Sequence, residues 1–226
     1  MKKEGHFIFK KKYLLHYKIY GEGKEDVFKN LPLRFKEKTI ISFDLPYHGK
    51  SMFPEEKLTK NNWKDLSVAL IDHFKVTTVS LLAYSLGGRF VIRFAIDHPK
   101  TVDEVTFIAA DGFYYTGIYR ISTSFLGKNL FKHVLKNPIK MFALSEVLCR
   151  IGVLNPSIVK FAQLQLGKKE QRIRVYSSWL YLKGLMTSQT ELIQSLKSSN
   201  IPITIYTGSK DYVIKTKYFS KLNSEY

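Results

Sequence analysis

Leu81-Leu82-Ala83-Tyr84-Ser85-Leu86-Gly87-Gly88 joins an apolar, β-branched run, Val76 to Ala83, to an apolar stretch of helical spacing from about Arg89 to Asp97. With no loop between strand and helix, the serine must take a strained backbone conformation. Its neighbours two residues away on either side must then be small for the chain to pass. Ala83 and Gly87 are small. The hydroxyl of such a serine stands above the carboxyl end of its strand. The N-terminus of the next helix, with the Leu86 backbone N–H, faces any oxyanion formed there. Ser85 is thus the candidate nucleophile and the Leu86 N–H the candidate oxyanion donor; a helix-capping serine is the alternative.

The same alternation continues on both sides of this turn. Downstream, His98-Pro99 stops the helix and Val102 to Ala109 reads as a strand. Upstream, Thr39 to Phe43 and Val76 to Ala83 are apolar with a period too flat for a one-sided strand, as expected of parallel strands buried on both faces. Between them Trp63, Leu66, Ala69, Leu70 and Phe74 recur at helical spacing behind Leu58-Thr59. The order βαβαβ predicts the α/β class, a mostly parallel sheet with crossover helices. Residues His6 to Lys10 and Tyr13 to Tyr20 alternate around a Lys-rich turn, which predicts an N-terminal antiparallel hairpin. From about 113 to 200 the periodicity is helical, broken at Asn137-Pro138, Gly152 and Asn155-Pro156, and predicts a helical cap insertion. A last strand, Ile201 to Tyr206, ends in Thr207-Gly208-Ser-Lys-Asp211. At 226 residues and 45% apolar the chain is too hydrophobic for disorder and reads as a single domain, 1–226.

The formal charge is +17, from 36 Lys and Arg against 19 Asp and Glu. The cations run from Lys2 to Lys221, densest at Lys10-Lys-Lys12 and Lys168-Lys169, with no aromatic-interleaved run of the kind that stacks bases. A solvated basic surface is the expected use, no specific nucleic acid is implied, and binding to nucleic acid or an anionic surface is the alternative from another class. One cysteine, Cys149, excludes an internal disulfide framework and fits a cytoplasmic location, with packing in an apolar helix as its expected role. No stretch approaches the ~18 uncharged apolar residues of a membrane span, and the N-terminus lacks the apolar core of a secretory signal. No His, Cys and acidic cluster has metal-ligand spacing, so no metal and no cofactor are expected. Gly49-Lys50-Ser51 lacks the earlier glycine of a phosphate-binding loop, and Gly21-Glu-Gly23 lacks the third glycine of a dinucleotide turn.

Three motifs together resemble the α/β-hydrolase family. Asp44-Leu-Pro-Tyr-His-Gly49-Lys-Ser51 is similar to that family's Asp-x-x-Gly-x-Gly-x-Ser loop, with Tyr47 where a glycine is usual. Residues Ala83 to Gly88 resemble its nucleophile elbow, and Gly208-Ser-Lys-Asp211 its acid-bearing turn. The resemblance implies a serine esterase acting on a small-molecule acyl substrate through an acyl-enzyme, with Ser85 as nucleophile and Asp211 as the carboxylate orienting a histidine. For Asp211 a turn-forming role stands beside the catalytic one. Asp111, after the strand Val102 to Ala109, is a second candidate acid, and a turn role is its better reading. Asp44 reads as structural.

Two parts of the family pattern are missing from the residues. The family's histidine follows its acid, whereas His6, His16, His48, His73, His98 and His133 all precede Asp211. The family also has a strand ending in an oxyanion loop before the first crossover helix. Between Gly21 and Lys38 there is no apolar run to form it, and Phe28, Leu31 and Phe35 have helical spacing instead. The resemblance therefore implies a hydrolase short of a central strand and of a terminal helix and strand, as an internal deletion and an early stop would leave it. Losing one oxyanion donor costs ~10²- to 10³-fold in rate and losing a triad member costs more, so severely impaired activity is expected. A catalytically inactive remnant or binding protein is the second reading. The stripe Phe125, Leu130, Phe131 and Leu135 is expected to pack the cap onto the core, with an acyl pocket as its alternative use.

Overall fold

In the computed structural model, which describes residues 2–20 and 38–219, the Lys-rich turn takes the left-handed backbone of a tight hairpin. The φ angle is 48° at Lys10 and 55° at Lys11, and the Lys12 N–H donates to the Phe9 carbonyl at 3.2 Å. The turn joins β1 (Lys2–Phe9) to β2 (Tyr13–Tyr20) as the predicted antiparallel hairpin, in a register that sets His6 opposite His16. These strands belong to the first of two compact units, Met1–Glu56 and Lys57–Tyr226.

The third strand of the first unit, β3 (Ile40–Phe43), corrects one expectation. It pairs antiparallel with β2, Tyr17 opposite Phe43 and Tyr20 opposite Ile40, rather than entering a parallel sheet. Three apolar residues and Ser42 specify an extended segment, but the direction of the neighbour is decided by a strand elsewhere in the chain. After β3, Asp44 serves its own loop. Its Oδ2 accepts the Lys50 N–H and lies beside His16 Nδ1, both at 2.8 Å, while its carbonyl accepts from Ser51 Oγ at 2.6 Å. The loop passes so close that a Cβ on Gly49 would stand 2.1 Å from Asp44 Oδ2. Tyr47, where the family carries glycine, has φ of 66°. The predicted helical spacing of Phe28, Leu31 and Phe35, and the missing strand of that region, fall outside the described residues.

The second unit carries the parallel sheet, order β4 (Val79–Tyr84), β5 (Val102–Ile108), β6 (Ile203–Tyr206). Helix α1 (Lys60–Phe74) precedes it, started by Thr59, whose side chain accepts the Asn62 N–H, and stopped by Lys75 in the left-handed region. Helix α2 (Gly87–Asp97) is the crossover from β4 to β5. Burial within the sheet departs from the flat pattern expected. Ala83 is 2% exposed, but Leu82 and Tyr84 are 38% and 53% exposed. One face holds the core, where Ala83, Val105 and Phe107 meet Ile92 and Ala95 of α2 and Leu192, Ile193 and Leu196 of a later helix. The other face carries Ser80, Leu82 and Tyr84 of β4 in register with Glu104, Thr106 and Ile108 of β5, so in β4 the apolar types Leu82 and Tyr84 conceal an alternation that burial reveals.

Between β5 and β6 the described chain is helical, as predicted: α3 (Gly117–Ser122), α4 (Gly127–Lys136), α5 (Ile139–Arg150), α6 (Pro156–Leu166), α7 (Lys169–Tyr181) and α8 (Gln189–Ser199). The apolar stripe of this segment divides. Phe131 stacks on Trp179 of α7 with ring centroids 5.1 Å apart, and Leu135 is buried, whereas Phe125 and Leu130 face solvent. Cys149 is half-buried on α5, a helix without a fully buried residue, rather than packed in a core.

Candidate active site

Ser85 has φ of 48°, the strained left-handed backbone that a strand running straight into a helix demands. Several hydrogen bonds hold it there. Its N–H donates to the Ile108 carbonyl at 3.2 Å, and its own carbonyl accepts from Gly88 N at 3.0 Å and Asp111 N at 2.8 Å. The loop after β5 thus grips the turn after β4. That grip places the tightest constraint on Gly88 rather than on Gly87. A Cβ at Gly88 would lie 2.1 Å from the Asp111 carbonyl oxygen, whereas one at Gly87 would only touch Ala83 Cβ at 3.8 Å. Leu86 begins the helical backbone, with φ of −54° and ψ of −26°. Among the described residues no acceptor takes its N–H, as is usual in the first turn of a helix.

Asp111 lies close to Ser85 in the fold but its carboxylate is committed elsewhere. Oδ2 accepts from Arg89 Nε at 2.8 Å and pairs with Nη2 at 2.6 Å, while Oδ1 accepts the Gly112 N–H at 2.7 Å. Arg89 is 3% exposed, its Nη1 donates to the Tyr119 hydroxyl at 2.8 Å, and that hydroxyl donates to the Trp179 carbonyl at 3.0 Å. The guanidinium also lies over the Tyr119 ring, 4.6 Å from its centroid. Burial alone would lower the Arg89 pKa, but the Asp111 carboxylate and the Tyr119 oxygen hold it above its ordinary value. Burial raises the Tyr119 phenol, and the arginine opposes it only in part. This chain from α2 through the β5 loop to α3 and α7 was not anticipated. The signal was available: Arg89 and Arg93 interrupt an apolar helix at i, i+4 spacing, and buried cations require partners.

Asp211 follows β6, two strands from β4 and at the same end of the parallel sheet as Ser85, so the strands are ~10 Å apart. Its N–H donates to the Gly208 carbonyl at 3.0 Å, and its Oδ1 accepts from Val213 N at 2.8 Å and Ile214 N at 2.9 Å. One carboxylate oxygen therefore builds the turn. No hydrogen bond joins Asp211 to a histidine among the described residues.

The histidines occupy other positions. His16 is buried against Asp44, His48 Nδ1 lies 2.9 Å from the Pro46 carbonyl, and His98 Nε2 lies 2.7 Å from the hydroxyl of buried Ser67. His133 is exposed in the last turn of α4. Among the described residues none hydrogen-bonds to Ser85, and no group of three His, Cys, Asp or Glu side chains could hold a metal ion.

Comparison with known proteins agrees with this architecture. A family model described as the alpha/beta hydrolase fold matches residues 21–143, more than half of the chain, and the chain belongs to that family. The match takes in the Asp44 loop, the Ser85 elbow and Asp111. A stretch of 93 residues, 41% of this chain, is 29% identical to the dihydrolipoyllysine-residue acetyltransferase component of the acetoin cleaving system of Pseudomonas putida, and covers 25% of that relative's length. Among solved structures, MGS-M2, an alpha/beta hydrolase enzyme from a Medee basin deep-sea metagenome library, superposes with a TM-score of 0.65 at 14% identity. The superposition covers 98% of this chain and 85% of that one. A structure from a study of carboxylesterases of the thaumarchaeon Nitrososphaera gargenis gives 0.61 at 14% identity, covering 98% and 86%. At such identities the likeness is one of fold. No helix among the described residues is long and apolar enough to cross a membrane.

Proposed function

We propose that the protein is a serine hydrolase acting on carboxylic esters or related acyl compounds, with Ser85 as nucleophile, the Leu86 N–H as oxyanion donor and Asp211 as acid, and with turnover severely impaired. The observation that carries this reading is Ser85 itself, held at positive φ between a parallel strand and a helix by bonds to two neighbouring segments. In the acylation step Ser85 Oγ would attack the substrate carbonyl, its proton passing to a base. The new oxyanion would meet the Leu86 N–H and the positive end of α2. A structural neighbour from a carboxylesterase study supports the ester reading. The same proposal treats 1–226 as one domain with the helices of 113–200 as its cap, in a cytoplasmic setting.

A second reading, a hydrolase-fold protein without turnover, is favoured by two observations: among the described residues no histidine hydrogen-bonds to Ser85, and Asp211 spends an oxygen on its own turn. Incubation with a fluorophosphonate and with a p-nitrophenyl short-acyl ester tests both. Labelling at Ser85 with slow ester turnover, each lost in Ser85→Ala, is the expected result. Unlabelled Ser85 would sink the hydrolase reading.

A further inference from the structure

The helical segment after β5 presents more apolar surface than its packing uses. On α3, Tyr119 faces inward, while Ile118 and Ile121, three residues apart, are 72% and 67% exposed. The next turn is built rather than loose. Ser124 Oγ donates to the Ile121 carbonyl at 2.7 Å and accepts the Gly127 N–H at 3.0 Å, and a Cβ on Gly127 would lie 1.9 Å from that same carbonyl. This turn holds Phe125 and Leu126 side by side at 81% and 80% exposure, and Leu130 follows on the outer side of α4. The inward seam of α4 is already filled by Phe131 and Leu135, so the outer residues are surplus to the fold. Surfaces of this kind are uncommon on proteins that meet only water.

The charge along this segment is of one sign. From Gly112 to Ser145 the chain has no Asp or Glu, and it carries Arg120, Lys128, Lys132, Lys136 and Lys140. Among the described residues none of the five is in an ion pair, and Lys128 Nζ lies over the Phe125 ring at 5.1 Å. An apolar pair held by a built turn, in a stretch of chain whose charges are all positive, suits a layer whose interior is hydrocarbon and whose surface is negative. A nucleic acid would use the cations but has no use for Ile118, Ile121, Leu126 and Leu130, and a single exposed phenyl is no stacking platform.

We infer that the face formed by α3, the Thr123–Leu126 turn and α4 docks the protein on an anionic lipid bilayer, with Phe125 and Leu126 inserted below the headgroups and the cations above them. The surface lies apart from Ser85 in its chemistry, so the inference goes beyond the hydrolase reading and does not depend on it.

Co-sedimentation of the full chain with phosphatidylcholine vesicles containing a third phosphatidylserine tests it. The protein partitions onto these vesicles, less so as salt rises, and weakly onto phosphatidylcholine alone. Each cation near such a surface gives about five-fold in partitioning, so Lys128→Gln/Lys132→Gln/Lys136→Gln lowers it about 100-fold. Phe125→Ser/Leu126→Ser lowers it by a similar factor with the far-ultraviolet circular dichroism unchanged, because both side chains already stand in water. Ser85→Ala partitions as the native chain does, which separates this outcome from any failure of the esterase assay. The inference is overturned by absence of binding to the anionic vesicles, or by a double serine variant that binds as well as the native chain. It is also overturned by tighter retention on DNA than on vesicles, or by a self-association without vesicles that the double serine variant abolishes.

Discussion

Replacing Arg89 by Met tests how the elbow is held. The guanidinium makes two contacts to Asp111 Oδ2, at 2.8 and 2.6 Å, and one to the Tyr119 hydroxyl at 2.8 Å, with side-chain exposures of 4% for Arg89 and 24% for Asp111. Methionine fills much of the same volume, so the cavity contribution is small and the loss is electrostatic. Breaking a buried pair by removing one partner costs about 3–5 kcal/mol, because the remaining charge is left uncompensated. Asp111 keeps the Gly112 N–H and some contact with water, which places the expected cost near the lower end, about 3 kcal/mol. For a chain of this size that lowers Tm by about 6–12 °C. Urea unfolding followed by circular dichroism, at fixed pH and with the slope compared between variants, measures it. Arg89→Met/Asp111→Asn removes the orphaned charge as well. Its cost falls short of the sum of the two single changes by about 1–3 kcal/mol, the coupling expected of groups in contact. A single-variant cost below about 1 kcal/mol, or strict additivity in the double variant, would refute the view that this pair clamps the elbow.

Further outcomes follow from the same packing. Gly88→Ala forces its Cβ against the Asp111 carbonyl and is expected to cost about 1–3 kcal/mol, whereas Gly87→Ala, with only the 3.8 Å contact to Ala83, costs less than about 0.5 kcal/mol; paired urea melts check the contrast. Leu182, 0% exposed between α7 and α8, loses about 2–5 kcal/mol on change to Ala, read as a fall in the urea midpoint with the slope preserved. Burial lowers the His98 pKa below the 6.5 ordinary for histidine, so between the two values the unfolded chain binds the proton and the folded one does not. Stability is therefore full above pH 6.5 and declines as pH falls below it towards the lowered folded value, and in His98→Gln the urea midpoint loses this part of its pH dependence.

The elbow was legible because it is local. A buried strand, a serine and small residues at Ala83 and Gly87 leave one backbone solution, and the hairpin, the helices between β5 and β6 and the parallel β4, β5 and β6 follow from short-range periodicity in the same way. What stayed hidden depends on partners far along the chain. Nothing in Thr39 to Phe43 states that β2, and not a parallel neighbour, receives its hydrogen bonds. Leu82, Tyr84 and Tyr206 carry the residue types of buried strand positions, and only the folded structure shows them exposed. Asp111 illustrates the limit most directly. Its place after a strand suits a catalytic acid, and the decisive fact, an arginine 22 residues earlier that turns a buried side chain towards it, belongs to tertiary structure.

The Arg89 pair also separates two questions that a nucleophile elbow tends to merge. Bonds from Gly88, Asp111 and Ile108 fix the strained serine, and Arg89 in turn fixes Asp111, so the turn is stable whether or not a base is near. The geometry of Ser85 is thus evidence of fold and of a reachable hydroxyl, while the rate of proton removal reports on a base. The pH profile of fluorophosphonate labelling tells them apart. A serine served by an imidazole labels at a rate that levels off above the imidazole pKa, ordinarily ~6.5. One served by hydroxide alone labels about tenfold faster per pH unit with no plateau. With no histidine at Ser85 among the described residues, the rising line is expected between pH 6 and pH 9 (about three decades in all). A plateau near neutrality would show a base acting on Ser85 and would refute the reading of severely impaired turnover, leaving the elbow and its clamp as they stand.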